Sequence, residues 1–129
     1  MLEDQPLILV VEDDPPIQFV VEDALSEGGF QSAIAPSGEE AVTLLQGNKG
    51  KYRALVADIG LRGRLDGWEV AKQARAIDPA FPILYITAAH ANQWRSHGVP
   101  NSLLLTKPFA PAQLVTAISQ LLNTRTTTT

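Results

Sequence analysis

The sequence predicts a single doubly wound α/β domain built on a five-stranded parallel sheet. Two observations lead there. Short apolar runs of strand length alternate with longer segments whose apolar residues recur at helical spacing. Alternation of this kind gives a parallel sheet covered on both faces, with right-handed crossovers. The runs are also apolar throughout, as strands buried on both faces are, and Ala54-Leu55-Val56-Ala57 before Asp58 is the clearest case. The 129 residues fit one domain, and no internal repeat or interdomain linker is visible.

Leu7-Ile8-Leu9-Val10-Val11 is the first strand and runs straight into Glu12-Asp13-Asp14. Pro15-Pro16 blocks further strand pairing but is tolerated in a first helical turn. Ile17, Val20, Val21, Ala24 and Leu25 then form an apolar stripe, and Gly28-Gly29 ends the helix. Gln31 to Ala35 is a short second strand. Ser37 with Glu40 three residues on is a capping-box pattern for a second helix, whose stripe is Ala41, Leu44 and Leu45 and which Gly47 closes. Gly47 to Lys51 superficially resembles a phosphate-binding glycine loop. The spacing fails, and the segment follows a helix rather than a strand, so it reads as a solvated turn.

Arg53 to Asp58 is the third strand. A loop rich in glycine and arginine leads to Asp66, a cap for a third helix that buries Val70, Ala71, Ala74 and Ile77. Asp78-Pro79 and Pro82 bracket the next loop. Ile83 to Ile86 is the fourth strand, ending in Thr87-Ala88-Ala89. His90 to Asn101 is poorly patterned, with a short helix expected around Asn92 to Ser96. Ser102 to Thr106 is the fifth strand, followed by Lys107-Pro108-Phe109. Pro111 opens a last helix with Leu114, Val115, Ile118, Leu121 and Leu122 inward. The folded unit is expected over residues 1–122, with 123–129 a flexible, Thr-rich tail.

Composition narrows the function classes. A net charge of −4 argues against a nucleic-acid footprint, which needs clustered basic surface. With no cysteine, there is no disulfide framework, thiol nucleophile or thiolate metal site. The longest aliphatic run, Leu7 to Val11, is far too short to span a bilayer, and Met1 to Asp4 lacks the basic start of a secretory signal. The expectation is a cytoplasmic protein with no membrane and no nucleic-acid partner.

Polar groups stand at four strand ends: Glu12 and Asp13, then Asp58, then Thr87, then Lys107. In a parallel sheet these ends share one edge, where ligands of open α/β sheets bind. Three carboxylates crowded there repel, by roughly 4 kcal/mol per pair at about 4 Å and an effective dielectric of 20. They must take up a proton or bind a cation. Oxygen ligands without His or Cys favour a hard cation, and Mg²⁺ fits best. A carboxylate can attack phosphorus to give an aspartyl phosphate, and stabilising the transferred group is then a matter of positioned charge. Lys107 would pair with one phosphoryl oxygen and the Thr87 hydroxyl would donate to another. Taken singly, each of these residues reads as readily as a solvated acid, a turn residue or a surface lysine. Their common placement favours the functional reading. His90 and His97 have no partner at metal-ligand spacing and read as surface residues. Trp68 and Trp94 read as packing or interface residues.

The set resembles the receiver domain of two-component response regulators, from Leu7 to about Leu122. Glu12-Asp13-Asp14-Pro15, Asp58, Asp66-Gly67-Trp68-Glu69-Val70, Pro82 to Ala88 and Lys107-Pro108-Phe109 carry the resemblance. It implies a flavodoxin-like (βα)₅ sheet in the order 2-1-3-4-5. It implies Asp58 as phosphoacceptor, Asp13 as a direct Mg²⁺ ligand, Glu12 acting through water and the Gly60 carbonyl as a further ligand. Thr87 and Lys107 would contact the phosphoryl group, and Lys107–Pro108 is a candidate cis peptide. The donor would be a phosphohistidine on a sensor histidine kinase or a histidine phosphotransfer protein. The signal would be altered binding to a downstream protein, with a homodimer left open. The chain would be no turnover enzyme, catalysing only its own phosphorylation and dephosphorylation.

Three departures from the family pattern concern readout. Arg62 stands where Pro is usual, the loop to Asp66 is one residue longer, and Leu104 occupies the position of an aromatic switch residue. Gly60 and Ala89 stand where bulkier side chains often tune dephosphorylation. Competing readings are a Mg²⁺-dependent phosphohydrolase with an aspartyl nucleophile, a flavodoxin-type nucleotide binder, and a degenerate receiver used as a docking module. Contiguous acids after strand one disfavour the first, their charge disfavours the second, and the complete Asp, Thr and Lys set disfavours the third.

Overall fold

The computed structural model describes residues 5–127, with side chains to Thr124. Its strands are β1 (Leu7–Val11), β2 (Gln31–Ala35), β3 (Ala54–Asp58), β4 (Ile83–Thr87) and β5 (Leu103–Thr106). Its helices are α1 (Pro15–Glu27), α2 (Gly38–Gly47), α3 (Gly67–Ile77), α4 (Trp94–His97) and α5 (Pro111–Thr127), with a 3₁₀ turn, Ala91–Gln93, leading into α4. The five strands are parallel, in the order β2-β1-β3-β4-β5.

Strand side chains alternate between two cores, as the pleat requires. Leu9, Val11, Leu55, Ala57, Ile83 and Tyr85 face α2 and α3, packing on Ala41, Leu45, Trp68, Val70 and Ala71. Ile8, Val10, Val56, Leu84 and Ile86 face α1 and α5, packing on Val21, Leu25, Leu114 and Ile118. Every residue of β3 and β4 is buried, which is why both strands read as uninterrupted apolar runs.

The caps form where the sequence places them. Ser37 Oγ accepts from the Glu40 N–H at 3.1 Å, and Asp66 Oδ1 accepts from the Glu69 N–H at 3.0 Å. The α1 stripe is narrower than expected: Val21, Ala24 and Leu25 are buried, but Val20 is 46% exposed and its neighbour Phe19 70%. Ile17, Val21, Ala24 and Leu25 already fill the face toward the sheet, at i, i+4, i+7 and i+8, and Val20 falls on the flank. Helix α5 continues to Thr127, into the stretch expected to fray; residues 128–129 of that stretch lie outside the described residues. Among the described residues, no helix is long and apolar enough to cross a membrane.

Candidate functional site

Because all five strands run the same way, the ends of β1, β3, β4 and β5 lie along one edge. Glu12 follows β1 directly. Its N–H donates to the Ala35 carbonyl at 3.1 Å, extending the β1–β2 ladder, and the Gln18 side chain donates to its carbonyl at 2.7 Å. Glu12 is thereby held wholly buried. Asp58 is the last residue of β3, opposite Ile86 in register, and is buried. Gly67, the first residue of α3, packs so closely on this turn that an added Cβ would lie 2.4 Å from the Asp58 carbonyl oxygen. Glycine is required there by the approach of α3. Lys107 follows β5, with its N–H donating to the Thr87 carbonyl at 2.8 Å. The Lys107–Pro108 peptide is cis, as the resemblance implies.

These side chains meet. The Lys107 ammonium donates to Glu12 Oε1 at 3.1 Å and to Asp58 Oδ1 at 3.2 Å. Glu12, Asp13 and Asp58 each offer an oxygen within 4.8 Å of the others. Asp58 Oδ1 also accepts a long bond from the Gly60 N–H at 3.4 Å, whereas Oδ2 accepts none among the described residues. Glu12 Oε2 accepts from the Asp14 N–H at 3.2 Å. Thr87 is buried, and its Oγ1 accepts from the Ala89 and His90 N–H groups at 3.2 and 2.9 Å. Its own hydroxyl proton is therefore still available to donate.

The electrostatics follow from burial. Desolvation, and then the neighbouring Asp58 carboxylate, push Glu12 up to about 7, against the opposing pull of Lys107 and the Asp14 N–H. Burial also disfavours the charge on Lys107, but Asp58 and Glu12 outweigh it and raise the ammonium's pKa, so it stays charged. With Glu12 ionised, the three acids carry one negative charge more than their basic partners among the described residues, Lys107 and Arg62. A crevice of carboxylate oxygens with that imbalance suits a hard divalent cation.

Two residues at this edge carried no role in the sequence reading. Arg62, noted only as a departure, donates its N–H to Asp13 Oδ2 at 3.0 Å and brings Nε to 3.5 Å from the same oxygen. His90 is half-buried rather than a free surface residue, and its ring lies 3.8 Å from where a Gly60 side chain would begin. The Thr-x-x-His spacing that bonds Thr87 to the His90 N–H is the only sequence signal for it. The expectation for the two tryptophans holds. Trp68 is buried against Tyr85, with ring centres 4.8 Å apart, and Trp94 is half-buried, donating to Ser102 Oγ at 3.0 Å.

An open parallel sheet in this order, with three acids and a lysine gathered at its carboxyl edge, defines the receiver class of α/β signalling domains. Residues 8–119 match the family described as response regulator receiver domain, and the chain belongs to that family. Response regulator MprA of Mycobacterium sp. (strain KMS) is 35% identical over an alignment of 117 residues that covers 89% of this chain and 50% of that protein. The chain spans about half the length of the curated relatives it matches. The crystal structure of a response regulator receiver protein from Sinorhizobium medicae WSM419 superposes with a TM-score of 0.91 at 41% identity, covering 95% of this chain and 98% of that one. The receiver domain of Francisella response regulator 1452 does so with a TM-score of 0.79 at 27% identity, covering 94% and 99%.

Proposed function

We propose that this domain takes a phosphoryl group onto Asp58 from a phosphohistidine, carried by a sensor histidine kinase or a histidine phosphotransfer protein, in a Mg²⁺-dependent reaction. It then signals through altered binding to a downstream protein. The observation that carries this reading is the single ammonium of Lys107 bridging Glu12 and Asp58 from a position 49 residues beyond Asp58. No packing need explains two buried acids and a lysine at one strand edge, whereas transfer to a carboxylate does.

The step balances simply. Asp58 Oδ2 attacks phosphorus and forms an O–P bond as the P–N bond to the donor imidazole breaks. The electron pair returns to that nitrogen, and because the donor ring is protonated on its other nitrogen it leaves as a neutral histidine. Lys107 exchanges its hold on Asp58 Oδ1 for a phosphoryl oxygen as charge moves outward. The Thr87 hydroxyl donates to a second phosphoryl oxygen, its acceptor side already engaged by two N–H groups. Glu12, Asp13, Asp58 and the Gly60 carbonyl would hold Mg²⁺, which when bound neutralises the acids and lets an anionic donor approach. The reaction is self-directed rather than a turnover cycle, and its proposed compartment is the cytoplasm.

The test is transfer of label from a phosphohistidine donor. The protein takes up label when Mg²⁺ is present, and Asp58→Asn, with an unchanged circular dichroism spectrum, takes up none. Label retained on Asp58→Asn would overturn the assignment.

A further inference from the structure

Resting on the cation-site reading above, we infer that Arg62 is the built-in counter-cation of Asp13, and that a divalent ion must displace its guanidinium to bind. Each acid at the edge has a basic partner. Lys107 serves Glu12 and Asp58, and Arg62 serves Asp13. The two bases are held very differently. The Lys107 side chain is only 16% exposed, fixed between two carboxylates, and stands where a transferred phosphoryl group needs a positive charge. The Arg62 side chain is 88% exposed and meets Asp13 through Nε alone at 3.5 Å. Of the two it is the weakly held one: its own head is in solvent, and the half-buried Asp13 keeps the Arg62 backbone N–H when the guanidinium leaves.

The Arg62 backbone has a second role. Its N–H donates to the same Asp13 oxygen at 3.0 Å, so Asp13 stays oriented when the guanidinium swings away. A carboxylate oxygen can accept that N–H and still ligate a cation. It cannot keep a guanidinium beside it and a dication as well without two positive charges being forced together. The competitor is therefore the side chain, and the tether is the backbone. Arg64, two residues on, is a natural control. It lies in the same loop and is also exposed, but its N–H donates to Glu39 at 3.3 Å and its charge bears on Glu39.

The experiment is calorimetric titration of the protein with MgCl₂, comparing wild type, Arg62→Ala and Arg64→Ala, each checked for an unchanged thermal melt. Arg62→Ala should bind Mg²⁺ tighter by up to about fivefold, the most an exposed ion pair usually contributes. Arg64→Ala should stay within about 1.5-fold of wild type, since its charge is engaged elsewhere. Equal or weaker binding by Arg62→Ala would overturn the inference. So would an Arg64→Ala effect as large, which would make the gain a matter of net charge alone. A wild-type protein that binds no Mg²⁺ would remove the cation-site reading itself, and the inference with it.

Discussion

Glu12 is the residue at which the cost of building this site should be measurable. It is wholly buried beside Asp58, and its carboxyl is pushed from 4.5 to about 7. A carboxyl raised on folding stabilises the fold fully below its unfolded value, and that contribution is lost as pH climbs toward the folded value. A rise from 4.5 to about 7 corresponds to about 3 kcal/mol. The perturbation is Glu12→Gln, which keeps the shape and can still meet Lys107 but does not ionise. Urea unfolding in EDTA, followed from about pH 5 to about pH 8, should show wild type losing roughly 2–3 kcal/mol relative to the variant. That is about 1 M in the midpoint for a domain of this size. Titrating groups remote from Glu12 cancel in the comparison. Mg²⁺ favours the ionised carboxyl and should flatten the wild-type slope while doing less for the variant. Parallel pH curves for the two proteins in EDTA would refute the reasoning, because Glu12 would then be no more strained folded than unfolded.

Three further outcomes follow. Lys107→Met leaves Glu12 and Asp58 facing each other uncompensated, so it should unfold more readily above about pH 7 and lower the rate of label uptake by at least about a hundredfold. Urea titration and phosphotransfer rates measure the two effects. Gly67→Ala drives a methyl group into the Asp58 carbonyl and the Ile59 Cα, at 2.4 and 2.7 Å, and should cost about 1–3 kcal/mol with slowed phosphotransfer, read by thermal melting and label uptake. Tyr85→Phe removes the hydroxyl that accepts the Val99 N–H at 3.1 Å, and should cost about 1 kcal/mol with faster amide exchange at Val99.

The parts of the molecule that could be read in advance are those governed by periodicity and strand direction. β3 and β4 announce themselves because both faces are buried, and one direction for all strands brings Glu12, Asp58, Thr87 and Lys107 to the same edge. What stayed hidden depends on particular side-chain hydrogen bonds, which leave no pattern. Residues 90–101 show a poor apolar stripe because they are held otherwise. Thr87 holds the beginning of the segment, the Trp94–Ser102 bond its middle and the Tyr85 hydroxyl its end. The pairing of Arg62 with Asp13 crosses 49 residues and depends on the path of one loop. Val20 shows the reverse limit: helical spacing names the candidates for a buried face but not its width.

Those same bonds bear on how a change at Asp58 could leave the site. Leu104 has no ring to rotate. It lies beside Tyr85 on the neighbouring strand and packs into the core that also receives Trp94 and Val99. Tyr85 is fully buried, pinned at its hydroxyl by Val99 and at its ring by Trp68. Tyr85 is thus held at both ends, whereas the Thr87 hydroxyl meets two backbone N–H groups of the segment that follows it. A shift of the Thr87 side chain toward a phosphoryl group would lengthen its bonds from the Ala89 and His90 N–H groups. Those two bonds hold the start of the segment leading into α4. Such a displacement of Thr87 would act on the 88–98 surface through the backbone, where Trp94 and Val99 border the same core as Leu104 of β5.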